Sequence, residues 1–291
     1  MPFLPTFNRA KSTAAGETRP SMRRPWAGII LGGLAFFFTA NLLAGDHDPA
    51  PSARLPARPG PIAIEPSRTA IIVVDMQNDF GAPGGLFDRM GIDRTEILKT
   101  VAPISSVLAA ARHAGIMVIY LKMAFKPDLS DAGSLDSPNR IGHLAVGAGK
   151  TVRAPDGSES RILIRDTWNS EILPPLKPQP GDTVVYKSRF SGFYETELDA
   201  VLHAHGIRLL IFTGCTTSVC VESTLRDAMF HDYSCVLLAD CTAEPLGADL
   251  AQSNYEATLR VVENRLGSVS TSADLLATLG SPAAAPTGQS R

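Results

Sequence analysis

Three side chains of this sequence hold the ingredients of nucleophilic catalysis: a thiol at Cys220, a carboxylate at Asp75 and an ammonium at Lys187. Asp75 ends the apolar run TAIIVVD, Lys187 ends TVVYK, and Cys220 follows IRLLIFTG through the loop GCTTSV. Near neutral pH a free thiol is mostly protonated, so it needs a nearby base or a positive field before it attacks anything. Asp75 can take that proton and later return it to a leaving amine. Lys187 can hold the carboxylate in place and add positive potential that favours the thiolate. A helix N-terminus expected at Cys220 contributes in the same sense, and backbone N–H groups of the preceding loop can receive an oxyanion. Each residue alone has a plainer use. A buried Cys is ordinarily inert filler, the reading given to Cys215, Cys235 and Cys241. An Asp after a strand often caps a turn, and a Lys there is often a solvated edge charge. The joint arrangement carries the reading.

That arrangement requires elements that bring three distant segments to one edge. From Thr69 onward, short apolar runs alternate with helical periodicity, the signature of βαβ units and a parallel sheet. Strands are expected at 69–75, 116–122, 183–187, 207–214, 234–240 and 268–271. Helices are expected over 97–115, with Pro103 kinking it or marking its true start, around Leu198–Leu202, over 219–233 with Cys220 near its start, and over 250–267. Fully apolar strands imply burial on both faces. The expected fold is therefore an α/β class, three-layer α/β/α sandwich with a mostly parallel six-stranded, Rossmann-like sheet. In such sheets ligands bind beyond the carboxyl ends of the strands, where Asp75, Lys187 and Cys220 all fall. Residues 123–182, rich in Gly, Pro, Asp and Ser, read as an insertion that shapes or closes the pocket.

The stretches VVDMQNDF at 73–80, KSRFSGFYETELDAVL at 187–202 and TGCTTSVCVESTLRDA at 213–228 resemble the isochorismatase-like cysteine hydrolases. That family includes nicotinamidases, N-carbamoylsarcosine amidohydrolases, biuret hydrolases and ureidoacrylate amidohydrolases, and the resemblance spans roughly residues 65–275. It implies an isochorismatase-like hydrolase fold, a catalytic triad of Asp75, Lys187 and Cys220, a non-proline cis peptide between Cys215 and Thr216, and an oxyanion hole from the N–H groups of Thr216 and Cys220. Members that cleave isochorismate lack the cysteine. Its presence here implies cleavage of a C–N bond in a small amide or ureide through a thioester-type intermediate, with no cofactor. Nicotinamidases hold a metal with Asp and His after the second strand. KMAFKPDLSD at 122–131 has no histidine there, so no metal site is expected. SGFYETELD and CVESTLRDA resemble the ureidoacrylate and biuret branch most. Asn78, Phe80, Phe193, Tyr194 and Thr217 are candidate substrate contacts, although aromatic residues near strand ends also serve as core packing. The family's habit of self-association implies a homo-oligomer.

The bulk composition narrows the rest. Lys and Arg number 27 against 29 Asp and Glu, so no overall field draws the chain to nucleic acid. The four cysteines cluster between 215 and 241, unlike a disulfide-stapled secreted fold. Arg23 and Arg24 precede the uncharged run Pro25–Gly45, which reads as a signal peptide or membrane anchor within a leader over 1–45. Met22 is an alternative start. A Pro/Ala-rich linker is expected over 46–64, the hydrolase domain over 65–279 and a disordered tail over 280–291. Export, periplasmic or extracellular, or membrane anchoring would follow, and a nucleophilic thiol would then have to stay reduced. A pairing of Cys215 with Cys241 that leaves Cys220 free is one way to do so. Ether hydrolysis of the isochorismatase type and a catalytically idle scaffold remain as alternatives.

Overall fold

The structure, a computed structural model, describes residues 53–280. The expected leader, the first part of the linker and nearly all of the tail fall outside the described residues. Among the described residues no helix is long and apolar enough to cross a membrane.

The described residues hold ten strands: β1 (Ala53–Leu55), β2 (Ile62–Ile64), β3 (Thr69–Val74), β4 (Met117–Met123), β5 (Thr151–Arg153), β6 (Glu159–Arg161), β7 (Thr183–Lys187), β8 (Leu209–Cys215), β9 (Ser234–Ala243) and β10 (Ser268–Ser270). Eight α-helices accompany them: α1 (Asn78–Gly81), α2 (Leu86–Arg89), α3 (Thr95–His113), α4 (Pro138–Ala145), α5 (Leu198–Ala204), α6 (Glu222–Phe230), α7 (Asn254–Val261) and α8 (Ser272–Gly280). Six strands form one sheet in the order β10-β9-β8-β3-β4-β7, and every neighbouring pair is parallel. The expected three-layer sandwich is therefore present. Strand alternation sends Ile71 and Val73 into an apolar layer with Ile104, Val107 and Leu108 of α3 and Leu275 of α8. It sends Ala70, Ile72 and Val74 into a second layer with Leu198 and Leu202 of α5 and Leu225 of α6. Burying Val, Leu and Ile side chains stabilises by ~1.5–3 kcal/mol each, which is why runs such as AIIVV at 70–74 are apolar at every position.

Several expectations are corrected. Pro103 lies inside α3 and does not mark its start; a proline removes only one ladder hydrogen bond, and the buried stripe on either side outweighs it. The helix expected from residue 250 begins at Asn254, because Ser253 caps it by accepting from the Glu256 amide at 3.2 Å. The linker reading fails over residues 53–64. There β1 and β2 pair as an antiparallel hairpin, Leu55 and Ile64 are fully buried, and Arg58 exchanges two 2.9 Å backbone hydrogen bonds with Val269 of β10. Proline-rich composition obscured two short strands whose Leu55 and Ile64 join the core on the α3 and α8 side of the sheet.

The insertion at 123–182 is ordered. It holds α4, the β5–β6 hairpin and loops tied down by guanidinium groups that donate to main-chain carbonyls. Arg140 donates to Leu129 at 3.0 Å, Arg161 to Gly149 at 3.1 Å and Pro127 at 2.9 Å, Arg165 to Ala124 at 3.2 Å, and Arg189 to Asp131 at 3.0 Å.

Candidate active site

At the carboxyl edge of the sheet the register sets Val74 beside Gly214 and Met123 beside Lys187, so the loops after β3, β7 and β8 emerge together. Asp75 leaves β3 with φ of 51°, a left-handed conformation that Asp tolerates better than most residues. Gly214 has φ of 107°, and a Cβ there would lie 2.0 Å from the Val74 carbonyl oxygen. Only glycine permits that approach, which turns β8 into the loop carrying Cys215 and Thr216. The Cys215–Thr216 peptide is cis.

Lys187 Nζ lies 2.8 Å from Asp75 Oδ2, and both side chains are fully buried. Cys220 is buried near both groups, and the charge of each acts on its thiol. The Met123 amide donates to Asp75 Oδ1 at 2.9 Å and to Gln77 Oε1 at 2.8 Å, and Lys187 Nζ also donates to the Arg189 carbonyl at 3.3 Å. A carboxylate, an ammonium and a thiol from three separated segments thus meet in one buried spot. Burial works against the Lys187 charge, but Asp75 and Cys220 more than offset it, and its pKa lies above the usual lysine value. Burial pushes the Cys220 thiol up; Lys187 opposes that shift and Asp75 reinforces it. The resting thiol is therefore protonated: Lys187 does favour the thiolate, as expected, and desolvation is the stronger effect. Cys220 also sits in a π-helical turn, Thr217–Val221, which precedes α6. Such wide turns recur at functional sites.

The expected pairing of Cys215 with Cys241 is absent. Both are free; Cys215 lies opposite Ala243, two residues beyond Cys241, and its Sγ donates to the Asp75 carbonyl at 3.4 Å. Of the candidate substrate contacts, Thr217 is buried beside Cys220, and its Oγ1 has no partner among the described residues. Tyr194 is half-exposed under the Arg189 guanidinium and lines a cleft of about 370 Å³ with Ser218 and Glu222. The other three have different partners. Asn78 Nδ2 donates to Trp168 O at 2.7 Å, Phe80 packs edge-on against Phe87, and Phe193 stacks on His231 beyond the far end of α6 from Cys220. These contacts give Asn78, Phe80 and Phe193 a structural use, and their expected part in substrate binding stays an expectation.

Four residues escaped the sequence reading. Gln77 donates to the Met123 and Ser170 carbonyls at 3.1 and 3.2 Å. Asp79 accepts from the Leu86 and Leu163 amides at 3.0 and 2.8 Å and from Asn169 at 2.5 Å. Glu244, buried, accepts from the Ser218 amide and hydroxyl at 2.8 and 2.5 Å and so fixes the loop before Cys220. His143 is buried on α4. The polar run Gln77–Asp79 close behind Asp75 within VVDMQNDF was a visible sign that these positions do more than pack, though not of what they hold. Glu244 and His143 had none.

The isochorismatase domain family matches residues 69–274. The chain belongs to the isochorismatase family. Among this family's curated members, it is 43% identical over 226 residues to the ureidoacrylate amidohydrolase RutB of Caulobacter segnis, covering 78% of this chain and 92% of that one. It is 45% identical over 217 residues to the RutB of Agrobacterium fabrum, covering 75% and 92%. Among solved structures of the isochorismatase fold, a cysteine hydrolase from Pseudomonas syringae pv. phaseolicola superposes with a TM-score of 0.63 at 31% identity, covering 79% of this chain and 97% of that one. The N-carbamoylsarcosine amidase of Thermoplasma acidophilum gives 0.51 at 25% identity, covering 70% and 96%.

Proposed function

We propose that this chain is a cysteine-dependent amidohydrolase that cleaves a C–N bond of a small ureido or carbamoyl compound, with ureidoacrylate as the first substrate to test. The observation that carries the reading is the buried Asp75–Lys187 pair with the Cys220 thiol buried within reach of both charges. Its resting protonation assigns the roles. As Sγ attacks the carbonyl carbon, Asp75 takes the thiol proton, so no free thiolate accumulates. Lys187 keeps the carboxylate oriented and charged. By family resemblance, the N–H groups of Thr216 and Cys220 receive the oxyanion. Collapse breaks the C–N bond, and the proton on Asp75 passes to the leaving amine. Water, deprotonated by Asp75, then attacks the thioester-type intermediate, and the sulfur leaves and regains its proton. The RutB names of the relatives support the ureido class.

The test screens purified protein for ammonia release or substrate loss across ureidoacrylate, biuret, N-carbamoyl amino acids and nicotinamide. Cys220→Ala should lower kcat/KM by about 10³-fold or more on the active compound. An undiminished rate would exclude sulfur attack and favour ether-type or other chemistry. The apolar run Pro25–Gly45 supports export or anchoring as a further part of this proposal. Fractionation of the tagged full chain should place it with membranes or outside the cytosol, and a wholly cytosolic protein would discount that part.

A further inference from the structure

We propose that His143 determines specificity by accepting, at Nε2, a hydrogen bond from an N–H of the substrate's carbamoyl or ureido group. The inference rests on the amide-cleaving reading above and names the group that reading leaves unassigned. α4 is started by Ser137, whose hydroxyl accepts from the Arg140 amide at 3.2 Å, and by Pro138. His143 is its one buried residue. The ring is wedged between Phe125 and Phe190, with centroids 5.2 and 5.4 Å away. Both neighbours belong to the backbone that holds the reactive trio. Phe125 lies two residues beyond Met123, whose amide grips Asp75, and the intervening Ala124 amide donates to the Lys187 carbonyl at 3.1 Å. Phe190 follows Arg189, whose carbonyl receives the Lys187 ammonium. One turn earlier on α4, Asn139 Nδ2 donates to the Ser188 carbonyl at 3.2 Å. The helix is thereby docked over the loop that carries Lys187.

The chemistry of the ring follows from its partner. Nδ1 lies 2.7 Å from the Asn139 carbonyl oxygen, and a carbonyl only accepts, so Nδ1 carries the hydrogen. In the neutral imidazole Nε2 is then a lone-pair acceptor. Burial, chiefly, and the cations of Lys187 and Arg189 keep a second proton off the ring, against the opposing pull of the Asn139 carbonyl and Asp75. Among the described residues Nε2 has no protein partner, although the side chain is nine-tenths buried. Nε2 is not among the fully enclosed unpaired atoms of the described residues, so a ligand can reach it, and an acceptor that gives up water without gaining a donor is costly. Lys187, one of the two cations that act on the ring, is committed to Asp75 and the Arg189 carbonyl. A carbamoyl or ureido group brings N–H donors; an acetyl group of the same shape brings a methyl in place of the NH₂ and leaves Nε2 unpaired.

The experiment compares kcat/KM for the best ureide from the screen and its N-acetyl isostere in wild type, His143→Phe and His143→Gln. In wild type the ureide should be preferred. His143→Phe should reduce that preference by about tenfold or more, and His143→Gln, whose amide oxygen can accept, should retain much of it. Partial misfolding scales both substrates equally and leaves the ratio untouched. A preference unchanged within about twofold in His143→Phe would overturn the proposal. A readout independent of turnover uses Cys220→Ala protein with ¹⁵N-labelled histidine. N-carbamoylglycine should shift the unprotonated Nε2 resonance of His143, and N-acetylglycine should not. A protonated Nε2, or one that neither compound or both compounds move equally, would also overturn it. If wild type cleaves no amide yet Nε2 responds as stated, the amidohydrolase reading falls and the recognition role stands.

Discussion

Removing one partner of the Asp75–Lys187 pair leaves the other charge buried and uncompensated. Lys187→Met should therefore destabilise the protein by about 3–5 kcal/mol, measured by urea denaturation, and the double variant Asp75→Asn/Lys187→Met should recover part of that loss. Both should be inactive, so stability and activity separate cleanly in this series. Asp79 gives a pH signature. Burial, only partly offset by Asn169, Leu163 and Leu86, raises its pKa from 3.8 to about 6. A carboxyl raised in the folded state binds its proton before the unfolded chain does on acidification. Its effect on stability is thus most favourable below about pH 4 and worsens as pH rises through about 6, by up to about 3 kcal/mol in all. The difference in unfolding free energy between wild type and Asp79→Asn, followed from pH 4 to 7, should show that slope, because the amide does not titrate. Residue types at 75, 187 and 220 were legible in the sequence because charge or thiol chemistry at the end of an apolar run is uncommon. The role of Asp79 was not, since its three donors come from residues as distant as Asn169.

Periodicity disclosed the six sheet strands to within a few residues, because continuous apolar runs have few other ways to be buried. It did not disclose the π-helical turn at Thr217–Val221, which reads as ordinary helix: its hydrophobic spacing differs from 3.6 by less than five residues can reveal. Nor could it foresee that β9 runs on to Ala243, where Glu244 reaches back to Ser218. At this scale Gly214 is the sensitive point. Gly214→Ala meets the Val74 carbonyl at 2.0 Å and an unfavourable φ, and backbone cannot move aside as a side chain could. We expect at least about 2 kcal/mol of lost stability and a fall in kcat/KM larger than the loss of folded protein explains, read from thermal unfolding and kinetics on the same samples.

The sheet recruits the chain well before Thr69. Leu55 is fully buried in the layer shared with α3 and α8, and the Arg58–Val269 bridge extends the edge at β10. Leu55→Ala should cost about 2–5 kcal/mol, against near neutrality if residues 53–64 were the tether expected from composition; chemical denaturation distinguishes the two.

The guanidinium ties of the insertion have an evolutionary corollary. Arg140, Arg161, Arg165 and Arg189 fasten its loops to main-chain oxygens of Leu129, Pro127, Gly149, Ala124 and Asp131, and every amino acid supplies such an oxygen. These ties are therefore indifferent to side-chain identity in themselves, although Asp131 also holds Arg165 through its carboxylate and Gly149 needs its φ of 82°, so mutation elsewhere in this segment can try new ligand preferences while the sulfur chemistry beneath is inherited intact.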